Sequence, residues 1–198
     1  DGHGTMFRPA AYVGFDLRPG AGLHFIPSVR VDYSDDTRRT KVDPRLSARW
    51  DVVSGQPADE NGVSRLRTTL KAGIGIYRRP PNPSESLPPW GQSGLNVPRS
   101  FQASLGVEQE LAPGLDISLE GFAKWMDTLV VTEDAVSTSA NGVRYANSGQ
   151  GRVLGGELLV RIHPKGRLFG WLAYTLSRSE RRHDSTSSWQ SFQYDQTH

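Results

Sequence analysis

The chain has 198 residues, enough for one domain, and no cysteine, which excludes disulfides, zinc thiolate sites and cysteine nucleophiles. Its 23 Lys+Arg nearly cancel its 21 Asp+Glu, leaving a formal net charge of +2, and no basic stripe or aromatic RNA-binding motif is present, so no nucleic-acid partner is expected. No apolar run is long enough for a transmembrane helix. The opening Asp1-Gly2-His3-Gly4 carries no basic-plus-apolar leader, which points to a removed leader or an internal piece.

The predicted elements, in chain order, are strands. The first covers about 6–17, with Ala11, Val13, Phe15 and Leu17 on one face, and Arg18 to Gly22 turn the chain. The second, about 23–34, sets Leu23, Phe25, Pro27, Val29, Val31 and Tyr33 against His24, Ser28, Arg30 and Asp32. The third, 41–53, sets Val42, Leu46, Ala48, Trp50 and Val52 against Asp43, Arg45, Arg49 and Asp51. A turn rich in Gly, Pro, Asp and Asn spans 54–62, with Asn61-Gly62 as a turn signal. The fourth strand, about 64–78, precedes a long loop, 79–98, that holds six prolines. The fifth, about 99–111, reaches the tight turn Ala112-Pro113-Gly114. The sixth alternates from Leu115 to Trp125, broken only by Phe122. A Ser/Asn/Gly-rich loop is predicted over 132–150, then a seventh strand at about 151–163 and an eighth at about 167–179. The tail 180–198 is polar and charged.

These faces exclude a simple sandwich, because so dense a charged face cannot pack in a dry core. It suits a watered interior with the apolar face turned to lipid. The strands exceed the usual five or six residues, short turns alternate with long loops, and aromatic residues (Tyr33, Trp50, Phe101, Trp125) sit near strand ends. The fold class expected is all-β: an antiparallel up-and-down transmembrane β-barrel segment of about eight strands, one unit over 1–198 and part of a larger barrel.

Several segments resemble a known family. Asp43 to Trp50, Leu70 to Pro80, Asn96 to Glu110, Ile117 to Val131, Asn147 to Leu159, Leu172 to Ser177 and Tyr194 to His198 are similar, in this order, to segments of the barrel of TonB-dependent outer-membrane receptors. No plug domain, TonB box or terminal aromatic strand is found. The resemblance implies TonB-coupled uptake of a scarce solute, with a ferric siderophore, cobalamin or carbohydrate as options. It implies a Gram-negative outer-membrane location. The partners implied are outer-membrane lipid, the plug of the same full-length protein, TonB and a small-molecule ligand. No cofactor and no enzyme activity are expected. A passive porin-like channel, an outer-membrane enzyme on a small eight-stranded barrel and a soluble ligand carrier are the alternatives.

No catalytic or metal constellation is read. His3, His24, His163, His183 and His198 lack ligand spacing, and Gly73-x-Gly75 lies within a strand with no helix after it. The lumen-facing charges expected are Arg30, Asp32, Arg45, Arg49, Asp51, Arg67, Lys71, Glu108, Glu110, Asp116, Glu120, Lys124, Glu157 and Arg161, mainly as cross-strand pairs and plug contacts. By the resemblance, substrate binds between long loops and plug apex. The expected contacts are therefore Tyr77, Arg78, Arg79, Trp90, Arg99, Arg144, Tyr145 and Asn147, a set suited to an anionic, aromatic-rich ligand.

Overall fold

The structure, a computed structural model, describes residues 7–35, 38–55, 66–86, 94–132, 145–164, 168–193 and 195. The strands are β1 (Ala10–Gly14), β2 (Leu17–Gly20), β3 (Leu23–Ser34), β4 (Arg39–Val53), β5 (Thr68–Arg78), β6 (Arg99–Ala112), β7 (Leu115–Thr132), β8 (Tyr145–Ile162), β9 (Gly170–Arg182) and β10 (Gln190–Ser191). One short helix, α1 (Pro83–Ser86), interrupts the loop after β5. All strand pairs are antiparallel and each strand lies beside its neighbour in sequence, in one up-and-down sheet that does not close on itself.

β1 and β2 both pair with β3, so they are two pieces of one strand. The break lies at Phe15 and Asp16, opposite Pro27. Phe15 donates its N–H to the Pro27 carbonyl at 3.1 Å, and proline has no N–H to return. The ladder therefore lapses for two residues. Arg18 to Gly20, expected as turn, belong to β2, and the turn narrows to Ala21-Gly22 with Gly22 at φ 71°. With β1 and β2 counted together, eight long strands stand where eight were expected, and β10 is a two-residue addition.

β8 departs most from expectation. It starts at Tyr145, inside the segment read as loop. β7 correspondingly runs on to Thr132, through register shifts between Met126 and Val131 and through Thr128 at φ 54°. The added start of β8, residues 145–150, is rich in polar residues and glycine because it stands beyond the apolar band.

The apolar face is the exposed one. Leu105 is 67% exposed, Leu119 57% and Leu154 55%, whereas the buried polar residues of the opposite face include Asp43, Thr69 and Asp116. Among the described residues the only buried hydrophobic side chains, Leu95 and Val97, lie in a loop. The usual inside-out order of a soluble fold is thus reversed, as lipid requires.

The edge of this apolar band crosses the strands obliquely. On β5 the outward apolar run reaches Ile76, whose register row passes through Phe101 and Trp125 to Arg152 and Glu180. On β9 the run stops at Leu176, in the row of Ala72. The edge therefore drops four residues over four strand spacings. At about 3.3 Å per residue and about 4.8 Å per strand, that slope is a strand tilt of roughly 35°, the value of a membrane barrel.

Leu105 lies mid-band and outward, Gln102 inward. Leu105→Arg is expected to cost about 2–4 kcal/mol in a bilayer, and Gln102→Arg far less. Denaturant unfolding of the barrel in lipid vesicles checks this; equal costs would mean that the outward face does not meet lipid.

Candidate functional site

At the long-loop rim, the end of β5, the start of β6 and the upper part of β7 enclose a cavity of about 360 Å³. Tyr77, Arg78, Arg79 and Arg99, four of the eight residues expected to meet substrate, line it together with Arg181 of β9. Pro80 and Pro81 follow β5 and cannot extend its ladder. Asn82 then caps α1: its N–H donates to Glu85 Oε2 at 2.8 Å, while the Asn82 carbonyl accepts from Ser86 N at 3.1 Å. Asn82-Pro83-Ser84-Glu85 is a readable helix start, with Pro at the first helical position and Glu at the third.

The five cavity residues do not stand alike. Arg78 donates to the Val42 carbonyl at 2.8 Å and pairs with the buried Asp43 carboxylate, so it ties β5 to β4. Arg99 holds Asp127 across the β6–β7 pair, Nη2 to Oδ2 at 2.6 Å. Tyr77 carries the Arg45 guanidinium 4.2 Å over its ring. Gly75 makes room for that arginine, since a Cβ there would meet Arg45 Cγ at 2.9 Å. Among the described residues Arg79 reaches only the neutral Asn82 Oδ1, at 3.3 Å, and Arg181 stacks on Phe192 at 3.6 Å. These two guanidinium groups stand within electrostatic reach of each other, with Glu85 on the same cavity wall. Arg181 lies in the segment read only as a polar tail; no periodic signal singles it out.

Asn147 is a clasp. Its Oδ1 accepts from Asn96 N at 2.6 Å, and its Nδ2 donates to the Asn96 and Thr128 carbonyls at 3.0 and 2.9 Å. It pins the loop before β6 to the left-handed residue of β7. Tyr145 opens β8 opposite Thr132. Trp90 and Arg144 lie outside the described residues.

Of the lumen charges, those toward the short-turn end form one connected chain. Lys71 Nζ meets Glu108 at 2.5 Å, Arg67 meets Glu108 at 3.1 Å and Asp116 at 4.0 Å, and His163 Nε2 meets Asp116 at 2.6 Å. Thr69 donates to Asp51 at 2.6 Å, and Arg49 lies 3.4 Å from both. The Arg67 amide donates to Glu110 at 3.2 Å. At the opposite, long-loop end of β3, Arg30 pairs with Asp32 at 2.7 Å. Arg161 stands opposite Asp116 in register. Midway along the strands the pairing lapses at two carboxylates. Glu120 and Glu157 are register partners and line a second cavity, about 430 Å³, with Lys124. No ion pair holds either of these two carboxylates among the described residues. Like charges set opposite each other repel.

The model of the family described as TonB dependent receptor-like, beta-barrel, matches residues 2–196. The chain belongs to the TonB-dependent receptor β-barrel family. Its members are transporters of the Gram-negative outer membrane. Seven chains of solved structures match. Among them is the siderophore receptor PirA from Pseudomonas aeruginosa, at 21% identity and a TM-score of 0.66. The match covers 89% of this chain and 33% of that one, so this chain spans about a third of the receptor it resembles. No curated protein matches.

Beyond β9 the receptor barrel carries a turn built on one carboxylate oxygen. Asp184 Oδ1 accepts from the Thr186 hydroxyl at 2.7 Å, Thr186 N at 2.8 Å, Ser187 N at 2.8 Å and the Ser187 hydroxyl at 2.9 Å. The Thr186 hydroxyl bond leads, followed by the backbone bonds, in holding this carboxyl well below the usual aspartate value of 3.8.

Asn147→Ala is expected to loosen the rim by about 1–3 kcal/mol, because it leaves backbone groups of Asn96 and Thr128 without their partner. Faster hydrogen exchange at the Asn96 amide is the readout; unchanged exchange would mean that the clasp does not hold the loop. The Asp184 turn has a depressed carboxyl, so its stabilisation is complete above about pH 4 and is lost only as pH falls through the lower folded value. Amide exchange at Ser187 in wild type and Asp184→Ala across pH 7 to 3 checks this: protection at pH 4.5 is expected in wild type only.

Proposed function

We propose that this chain forms wall and rim of an outer-membrane receptor that takes up a scarce anionic solute, such as a ferric siderophore, by TonB-coupled import. In this reading a plug domain of the full-length protein completes the binding site from below, and TonB acts through that plug. The chain does no chemistry. It supplies lipid-facing strands, a charged lumen and part of the ligand rim.

The observation that carries the reading is the rim cavity. It gathers Tyr77, Arg79 and Arg181 beneath the long loops, and among the described residues neither guanidinium is paired with a carboxylate. Arg79 and Arg181 repel one another when the cavity is empty, and an anion between them relieves that repulsion. The Tyr77 ring adds an apolar face for an aromatic ligand. Arg78 and Arg99 keep the cavity's shape through their own carboxylates and contribute less directly. The likeness to a siderophore receptor concerns the fold; the charge of the cavity is the support for the substrate class.

In the complete receptor, Arg79→Ala and Arg181→Ala are each expected to weaken binding of an iron-loaded, anionic siderophore by about tenfold or more, the worth of one charge-assisted hydrogen bond. Arg→Lys at either position should retain part of that loss. Ligand-induced tryptophan quenching measures the affinity, and labelled-iron uptake with and without TonB measures the coupling. Unchanged affinity for every anionic ligand tried would sink the substrate class. Uptake independent of TonB would point to a passive channel.

A further inference from the structure

We propose that the outward face of β8 and β9, at the long-loop edge of the apolar band, docks the phosphate-bearing headgroup of an outer-leaflet lipid. The proposal rests on the reading that this face meets the membrane.

The outward residues of β9 run Leu172, Tyr174, Leu176 and then Arg178, Glu180 and Arg182. On β8 the change falls between Leu154 and Arg152. Arg178 is 67% exposed in its side chain and stands beside Leu154 in register. A fixed positive charge next to that leucine is costly unless it has reached headgroup depth. Arg178 follows Leu176, the last residue of the apolar run on β9, and Trp125 closes the same run on β7 with Arg152 across the ladder from it.

The charges do not cancel. Glu180 is the one carboxylate that answers two arginines, Arg152 at 2.6 Å and Arg178 at 2.7 Å. Arg182 is held by neutral oxygens, Gln150 Oε1 at 2.8 Å and the Ser185 carbonyl at 3.2 Å. The Trp189 ring lies between Arg152 and Arg182, 4.5 and 4.6 Å from their guanidinium carbons. Three guanidinium groups are thus oriented by one carboxylate, one amide and one indole, with a surplus of two positive charges. Farther round the rim, Arg99 is matched one to one by Asp127, so the surplus belongs to the β8–β9 face. Guanidinium forks match phosphate oxygens in pairs. Acyl chains of the same lipid would lie along Leu154, Leu176, Tyr174 and Leu172, all about half exposed or more. One molecule with a phosphorylated head and apolar tails satisfies both parts of the surface; free phosphate satisfies only the first.

The test uses the complete receptor in neutral detergent, with a bis-phosphorylated glycolipid (lipid A), its fully dephosphorylated form and inorganic phosphate as probes. Native mass spectrometry counts retained lipid, and resistance to unfolding in cold SDS verifies the barrel. Wild type is expected to retain lipid A, and R152Q/R178Q/R182Q to retain about tenfold less. Glu180→Gln keeps all three arginines and removes the competing carboxylate, so it is expected to retain at least as much as wild type. Equal retention by the folded triple variant overturns the proposal. So does equal binding of the dephosphorylated lipid, or displacement of lipid A by inorganic phosphate at equal concentration. A receptor that acquires neither lipid nor detergent overturns the membrane reading beneath it instead.

Discussion

Everything in this chain depends on the unbroken backbone ladder through its apolar band. Lipid offers no hydrogen bonds, so each N–H and C=O at that depth needs a partner on the next strand. From β4 to β9 the register runs without a slip through the band. The shifts gather at the ends: Asp51/Val53 and Glu110/Ala112 by the short turns, Met126 to Val131 by the long loops. The one lapse nearer mid-strand, at Phe15 and Asp16, has a specific cause in the missing N–H of Pro27. With the backbone satisfied internally, side chains are free to sort by solvent alone, apolar outward and polar inward.

That sorting is why so much of the fold was legible in the sequence. Between Leu115 and Trp125 each residue must choose lipid or lumen, and the choice writes a period of two. Past Trp125 the strand leaves lipid, both faces are wet, and the period fades although the hydrogen bonds continue to Thr132. The start of β8 at Tyr145 was hidden for the same reason. Phe122 broke the pattern inside the band for a different one: it points into the lumen and lies over Gly155, where a Cβ would stand 2.4 Å from its ring. The glycine across the ladder is the signal, and it can be read only once the register is known.

The candidate site was legible in half. Tyr77, Arg78, Arg79 and Arg99 sit at strand ends whose position follows from the loop pattern, and the fold brings them together. Arg181 could not be placed, because its distance from β5 depends on how three intervening strands curve. Asn147, expected near ligand, spends its three amide bonds on backbone. The sequence pattern identifies a polar residue at the rim but not whether that residue faces a ligand or the chain itself.

The arginines show how one side chain serves three solvents on one sheet. Arg67 and Arg49 lie in the lumen near the short turns, where Glu108 on β6 pairs with the first and Asp51 on its own strand with the second. Arg79 and Arg181 lie at the open end, where no carboxylate among the described residues pairs with them. Arg152, Arg178 and Arg182 face outward at the edge of the band, where their charge is tolerable only at headgroup depth. The carboxylates on adjoining positions decide whether the charge is matched, as Arg78 and Arg99 show at the open end, and parity decides which solvent it meets. A single-residue slip of β9 would exchange the second role for the third, carrying Arg181 to the lipid face and Arg182 into the lumen. The same ladder that satisfies the backbone therefore also fixes where the arginines of this wall meet carboxylates, where they face the rim cavity and where they face outward.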